Sequence, residues 1–133
     1  MNTFIEAKTL AQQEKRDEAC DLLFAFPEQF LTSEVLVFRA ILMQLTDKEY
    51  SLEFIENEFL QALILNAESI EAHYELGMFY DAVMNDSQNA LKHFNSAKQI
   101  LEKQLAEVER GIQDCIDFVP KFSSERLSTT ESK

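Results

Sequence analysis

The chain has 133 residues, 24 of them acidic and 12 basic, for a net charge of −12. This length makes one domain with its own core, and the acid excess excludes direct nucleic-acid binding, which needs a basic footprint. Two glycines and two prolines are too few for the many turns of a sandwich or barrel, and they exclude glycine-rich phosphate loops.

The apolar residues recur at three and four along nearly the whole chain, which predicts helices. Phe4, Ala7, Leu10 and Ala11 set a first helix. A polar break at Gln13–Arg16 follows. Ala19, Leu22, Leu23 and Phe26 set a second, which Pro27 ends. Ser33 is the expected N-cap of a third, running through Val35, Leu36, Phe38, Leu42 and Leu45. After a short turn at Thr46–Lys48, Leu52, Ile55, Phe59, Ala62 and Leu63 share one face of a fourth. Asn66–Ser69 break it, and a fifth is expected over Ile70–Met84. Asn85, Asp86 and Ser87 then supply turn and capping oxygens ahead of a long sixth helix. Six helices with short loops make an all-α fold of three antiparallel hairpins.

The sixth helix carries an apolar seam of Leu101, Leu105, Val108, Ile112, Cys115 and Val119, spaced four and three. Two readings stay open: it caps the end of the array, or it pairs two copies of the chain. Gly111 is expected to kink the helix and Pro120 to stop it. The helical domain spans 1–122, and the Ser/Thr-rich residues 123–133 are expected to form a disordered tail.

Charge is unevenly distributed. Residues 1–48 carry five bases and eight acids, and residues 92–133 carry seven of each. Residues 49–91 carry no Lys or Arg and nine acids: Glu49, Glu53, Glu56, Glu58, Glu68, Glu71, Glu75, Asp81 and Asp86. Charges this dense repel one another, and a basic protein partner would relieve the repulsion.

Cys20 and Cys115 lie in apolar stretches and are expected to be buried free thiols. The start of the chain has no apolar core of a secretory signal, and no apolar run is long enough to span a membrane. Cytoplasm is therefore expected. His73 and His93 have no second His or Cys at metal-binding spacing. His73 is expected to pack inside and His93 to be exposed. No cofactor, metal or catalytic group is expected.

Segments 36–69 and 70–104 are similar to each other at a period near 34 residues. In the second, Leu76, Gly77 and Tyr80 are followed by Ala90, Phe94 and Ala97. In the first, Leu42, Met43, Ile55, Phe59 and Ala62 fall at matching places. In residues 2–26, Ala7, Leu10, Ala19 and Leu23 fit a shortened copy, with the turn Lys15–Ala19 (KRDEA). This pattern resembles the tetratricopeptide repeat (TPR) family. His73 stands where that family usually has Trp, and the closing Pro is absent. The resemblance implies a right-handed solenoid whose groove is lined by the first helix of each pair. It carries over to Glu71, Tyr74, Met78, Asp81 and Ala82 in the third hairpin. In the second it carries over to Val37, Ala40, Gln44, Asp47 and Lys48. Glu71, Tyr74, Met78 and Asp81 form one stripe, bordered by Glu75, suited to an Arg- or Lys-bearing partner.

The phrase EAHYELGMFYDAVMNDSQNALKHF also looks like small acidic bacterial immunity proteins, which occlude the active site of a toxin. This implies a non-enzymatic inhibitor of a basic toxin domain, such as a nuclease. Two alternatives stand beside it: an adaptor or secretion chaperone holding an amphipathic client helix, and a self-associating structural protein. Glu71, Tyr74, Glu75, Met78, Asp81, Gln44 and Asp47 are the expected partner-binding residues.

Overall fold

The computed structural model describes residues 2–119. Among them are six α-helices and no strand. These are α1 (Asn2–Gln12), α2 (Arg16–Phe24), α3 (Ser33–Met43), α4 (Leu52–Leu65), α5 (Ile70–Ala82) and α6 (Ser87–Phe118). The all-α expectation holds, with the helices paired as three hairpins. One element was not expected: a single 3-10 turn at Glu28–Phe30, following Pro27. The expected tail, 123–133, lies outside the described residues, as does Pro120.

Polar side chains start the helices. Thr32, Ser51 and Ser69 each accept a hydrogen bond from the backbone N–H three residues on, at 3.2, 3.1 and 3.0 Å. Thr32 rather than Ser33 is the N-cap of α3. Ser33 is the first helical residue, and its buried Oγ has no partner. Asp86 receives the N–H of Asn89 at 3.1 Å at the start of α6. Asn85 before it has φ of 56°, a left-handed conformation that Asn tolerates better than most residues.

The chain divides into a unit up to Lys98 and a second unit from Gln99 onward. In the first, Ala7, Leu23, Ala40, Phe59, Leu76 and Phe79 are at the centre of one apolar core. Small residues stand where helices cross closely. A Cβ added to Gly77 of α5 would fall 2.7 Å from the Phe94 ring of α6. Ala90 and Ala97 are buried on the same side of α6 as Phe94.

The second unit is the remainder of α6. The helix runs unbroken through Gly111 to Phe118. Leu101, Leu105, Val108, Ile112 and Ile116 are each between 52% and 59% exposed. Cys115 is exposed as well, which corrects the expectation of a buried thiol. A helix buries its apolar stripe only where a second element covers it, and no described residue covers this one. Cys20, in α2, is buried as expected.

Candidate protein-binding face

Helix α5 presents the expected stripe. Its inward positions, Ala72, Leu76, Phe79 and Tyr80, are locked in the core. This fixes the opposite face, where Glu71, Tyr74, Met78 and Asp81 are all exposed. Tyr74 is 49% and Met78 42% exposed, large apolar areas for residues beside two carboxylates. The Tyr74 ring rests near Phe94, centroids 5.9 Å apart. Glu75 borders the stripe and is half-buried. Burial, and then the charge of Glu71, push its carboxyl above the usual carboxylate range.

The two residues expected from the second hairpin are placed differently. Helix α3 ends at Met43, so Gln44 and Asp47 lie beyond it. Gln44 is the C-cap of α3 and lines a shallow cleft with Tyr50 and Val83, the latter just past the end of α5. Asp47 turns the other way. Its backbone N–H donates to the Asp17 carboxylate at 3.2 Å, beside the α1–α2 turn. Lys48 pairs with Asp21. Val37 and Ala40, carried over as groove positions, are buried in the core. The structure therefore brings together the α5 residues, sets Gln44 toward one end of them, and separates Asp47.

Glu58 is not part of an exposed acidic field. It is buried, and Arg39 of α3 grips it with two hydrogen bonds, Nε to Oε2 at 2.5 Å and Nη2 to Oε1 at 2.9 Å. The Arg39 Nη1 also donates to the Leu23 carbonyl at 3.3 Å, and its guanidinium lies 4.3 Å from the Phe24 ring centroid. One side chain thus joins α2, α3 and α4. Glu56 is engaged too, accepting the Tyr80 hydroxyl proton at 2.6 Å. The unneutralised acids on exposed α5 positions are Glu71 and Asp81, with Glu75 at the border.

His93 is only 9% exposed, which corrects the expectation of a surface residue. Its ring stacks on Tyr80, and its Nδ1 lies 3.0 Å from Nδ1 of His73. The Nε2 of His73 lies 3.0 Å from the Ala67 carbonyl and must donate to it. When both rings are neutral, His73 accepts at Nδ1 and His93 donates from its Nδ1–H. Burial, then the charges of His73 and Lys92, hold the His93 imidazole below its ordinary pKa. The pair packs α5 on α6, with His93 held as the neutral ring. Among the described residues, no group of three or more His, Cys, Asp or Glu could hold a metal ion.

No protein-family model matches the sequence. No curated protein matches it. The structure is similar to one titled MamA MSR-1 C2, with a TM-score of 0.64 and 21% sequence identity. The match covers 77% of this chain and 57% of that one, so the chain spans little more than half of its neighbour. MamA is a TPR-containing protein. Together with the six helices in three hairpins, the match assigns this chain a TPR-like helical repeat fold.

Proposed function

We propose that the protein binds a basic protein partner through the exposed face of α5, and that its most concrete role is inhibition. The partner would be a toxin-like domain with a basic active site, as a nuclease needs for its phosphate substrate, and the acidic face would occlude that site. The observation that supports this reading is the α5 stripe itself. Tyr74, its ring beside Phe94, and an exposed Met78 stand between Glu71 and Asp81, with no Lys or Arg between residues 49 and 91. Aromatic and methionine side chains supply binding area, and the flanking carboxylates steer and orient a cationic partner.

The exposed apolar pair also suits the second reading, an adaptor holding an amphipathic helix of a client. The two differ in salt dependence, since apolar docking survives salt that screens steering. No helix among the described residues is long and apolar enough to cross a membrane, and the proposed place of action is the cytoplasm.

The test is affinity isolation with the wild-type chain and with a Glu71→Lys, Glu75→Lys, Asp81→Lys variant, at low and high salt. A basic protein retained by the wild type at low salt and lost by the variant supports the reading. A partner retained equally by both removes it.

A further inference from the structure

Helix α4 buries Ile55, Phe59 and Ala62 in the core. The helical repeat then turns Glu53, Asn57, Leu60 and Ile64, spaced four, three and four, to the opposite side. All four are exposed, Ile64 to 73%.

At the N-terminal end of this stripe lies an open cleft of about 410 Å³, lined by Ser51, Glu53, Phe54, Glu56, Asn57 and Leu60. Its lining holds two carboxylates and no Lys or Arg. Glu56 accepts the Tyr80 hydroxyl at Oε2, 2.6 Å away, which holds its carboxylate in place. Glu53 has no ion-pair partner among the described residues. Phe54 stacks on Phe24, centroids 6.1 Å apart, with Tyr50 at 5.9 Å, and is still 41% exposed.

The core of the same chain shows what such a set of groups holds. The Arg39 guanidinium lies 4.3 Å from the Phe24 ring centroid while it donates twice to the Glu58 carboxylate. Phe24 is the ring on which Phe54 stacks. A phenyl ring beside a carboxylate suits a guanidinium, which can cover the ring and direct its N–H groups at the oxygens. The cleft offers the same two groups without the arginine, and the Asn57 side-chain carbonyl is a further acceptor. An ammonium fits less well, being compact, strongly hydrated and without a planar fork.

We infer that the outer face of α4 docks an arginine-bearing helix of a partner protein, with the arginine in the cleft at Phe54 and Glu53. Leu60 and Ile64 lie about 10 and 16 Å further along the helix axis, where they meet apolar side chains of the same partner helix. Charge selects this occupant. A second copy would bring the same acids and a net charge of −12, which opposes close approach. This face shares no residue with the α5 stripe, so it stands or falls apart from the reading given above.

The test uses the full chain, isotope-labelled, and Ala-rich helical peptides of about five turns. Each peptide carries a pair of variable residues one turn apart, with Leu about two and three turns beyond them. The variable pair is Arg, Lys or Gln, and a second set has the order reversed to cover both helix directions. Heteronuclear NMR titration reads affinity and location together, and sedimentation reads self-association. The Arg peptide of one set is expected to bind and to shift the amides of Glu53, Phe54, Asn57, Leu60 and Ile64. The Lys peptide should bind about threefold or more weaker, and the Gln peptide weaker still. Glu53→Lys should weaken the Arg peptide by about tenfold at low salt, and Leu60→Ser with Ile64→Ser by a similar factor. Phe54→Leu should remove the preference for Arg over Lys. Glu71→Lys with Asp81→Lys on α5 should leave binding as before.

Failure of every peptide to bind would overturn the inference, as would equal binding of the Arg peptide with the Lys or Gln peptide. So would shifts confined to other helices, or undiminished binding by the Glu53→Lys variant or by the Leu60→Ser, Ile64→Ser variant. Loss of binding on changing α5 alone would overturn it too. A wild-type dimer that the Leu60→Ser, Ile64→Ser variant dissociates would assign the face to a second copy and overturn it equally.

Discussion

Arg39 of α3 and Glu58 of α4 form a bidentate ion pair, 2.5 and 2.9 Å, with both residues less than a tenth exposed. A buried charge is tolerated only with its partner, and losing one partner leaves the other desolvated and unpaired. Glu58→Ala or Arg39→Ala alone should therefore destabilise the fold by about 3–5 kcal/mol. Replacing both by apolar residues of similar volume, Arg39→Met with Glu58→Leu, should recover most of that loss. Urea denaturation of the three variants checks this. A double variant as unstable as the worse single one would mean that the pair's contacts to Leu23 and Phe24 matter more than its charges.

Gly77 is held to the smallest side chain by the Phe94 ring, 2.7 Å from where its Cβ would sit. Gly77→Leu should overpack this crossing and cost about 1–3 kcal/mol or more. Ala97→Leu, at a buried position on the same helix as Phe94, should cost a similar amount. Melting temperatures of both variants measure the effect. Two unchanged values would contradict the packing of α5 on the start of α6.

Acidification should weaken the first unit through His93. Its pKa is lowered in the folded protein, so the unfolded chain binds the proton first. The contribution of neutral His93 is fully present above the unfolded value near 6.5 and is lost as pH falls below it. The groups around it add to this sign. His73 shares a hydrogen bond with it and Lys92 repels the added charge, while the Glu56 carboxylate is committed to the Tyr80 hydroxyl. Glu75 acts with the opposite sign, since its raised pKa restores stability as pH falls through its native value. His93→Phe should keep the stacking on Tyr80 and flatten the fall in melting temperature between about pH 7 and 5. An identical pH profile in wild type and variant would contradict the assignment.

The two thiols should differ sharply. Cys115 is exposed and Cys20 buried, and burial raises the Cys20 pKa above its ordinary value. Only thiolates react quickly. Titration of the folded protein with a disulfide reagent should modify one thiol fast, and Cys115→Ser should abolish that phase. A fast phase surviving in Cys115→Ser would show that Cys20 is reachable.

Much of this was legible along the chain, because helix and hairpin order follow from local spacing. Apolar residues at three and four, with breaks at Thr46–Lys48, Asn66–Ser69 and Asn85–Ser87, marked the hairpins from α4 onward. What depended on a second element was not legible. Arg39 and Glu58 are 19 positions apart, and each alone reads as a surface charge. Cys115 sits on an apolar stripe, but a stripe does not reveal whether anything covers it. His93 had a readable signal that its polar neighbours Lys92 and Asn95 obscured. It falls three residues after Ala90 and four before Ala97, on their buried face. The shared exposed face of Glu71, Tyr74, Met78 and Asp81 was legible from their spacing of three and four. Asp47 was not, because α3 ends at Met43 and the chain turns toward Asp17.

The central claim is that the carboxylates of α5 steer a basic partner. Its most direct test is the association rate of that partner with wild type and with the Glu71→Lys, Glu75→Lys, Asp81→Lys variant, by stopped flow across a salt series. Exposed charges act mainly on encounter, over a Debye length of about 30 Å at 0.01 M salt and 3 Å at 1 M. The account predicts association about tenfold slower or more for the variant at low salt, converging with the wild type at high salt, with a melting temperature equal to or above the wild-type value. Equal association rates at low salt would contradict it and reduce the α5 stripe to a solvated face.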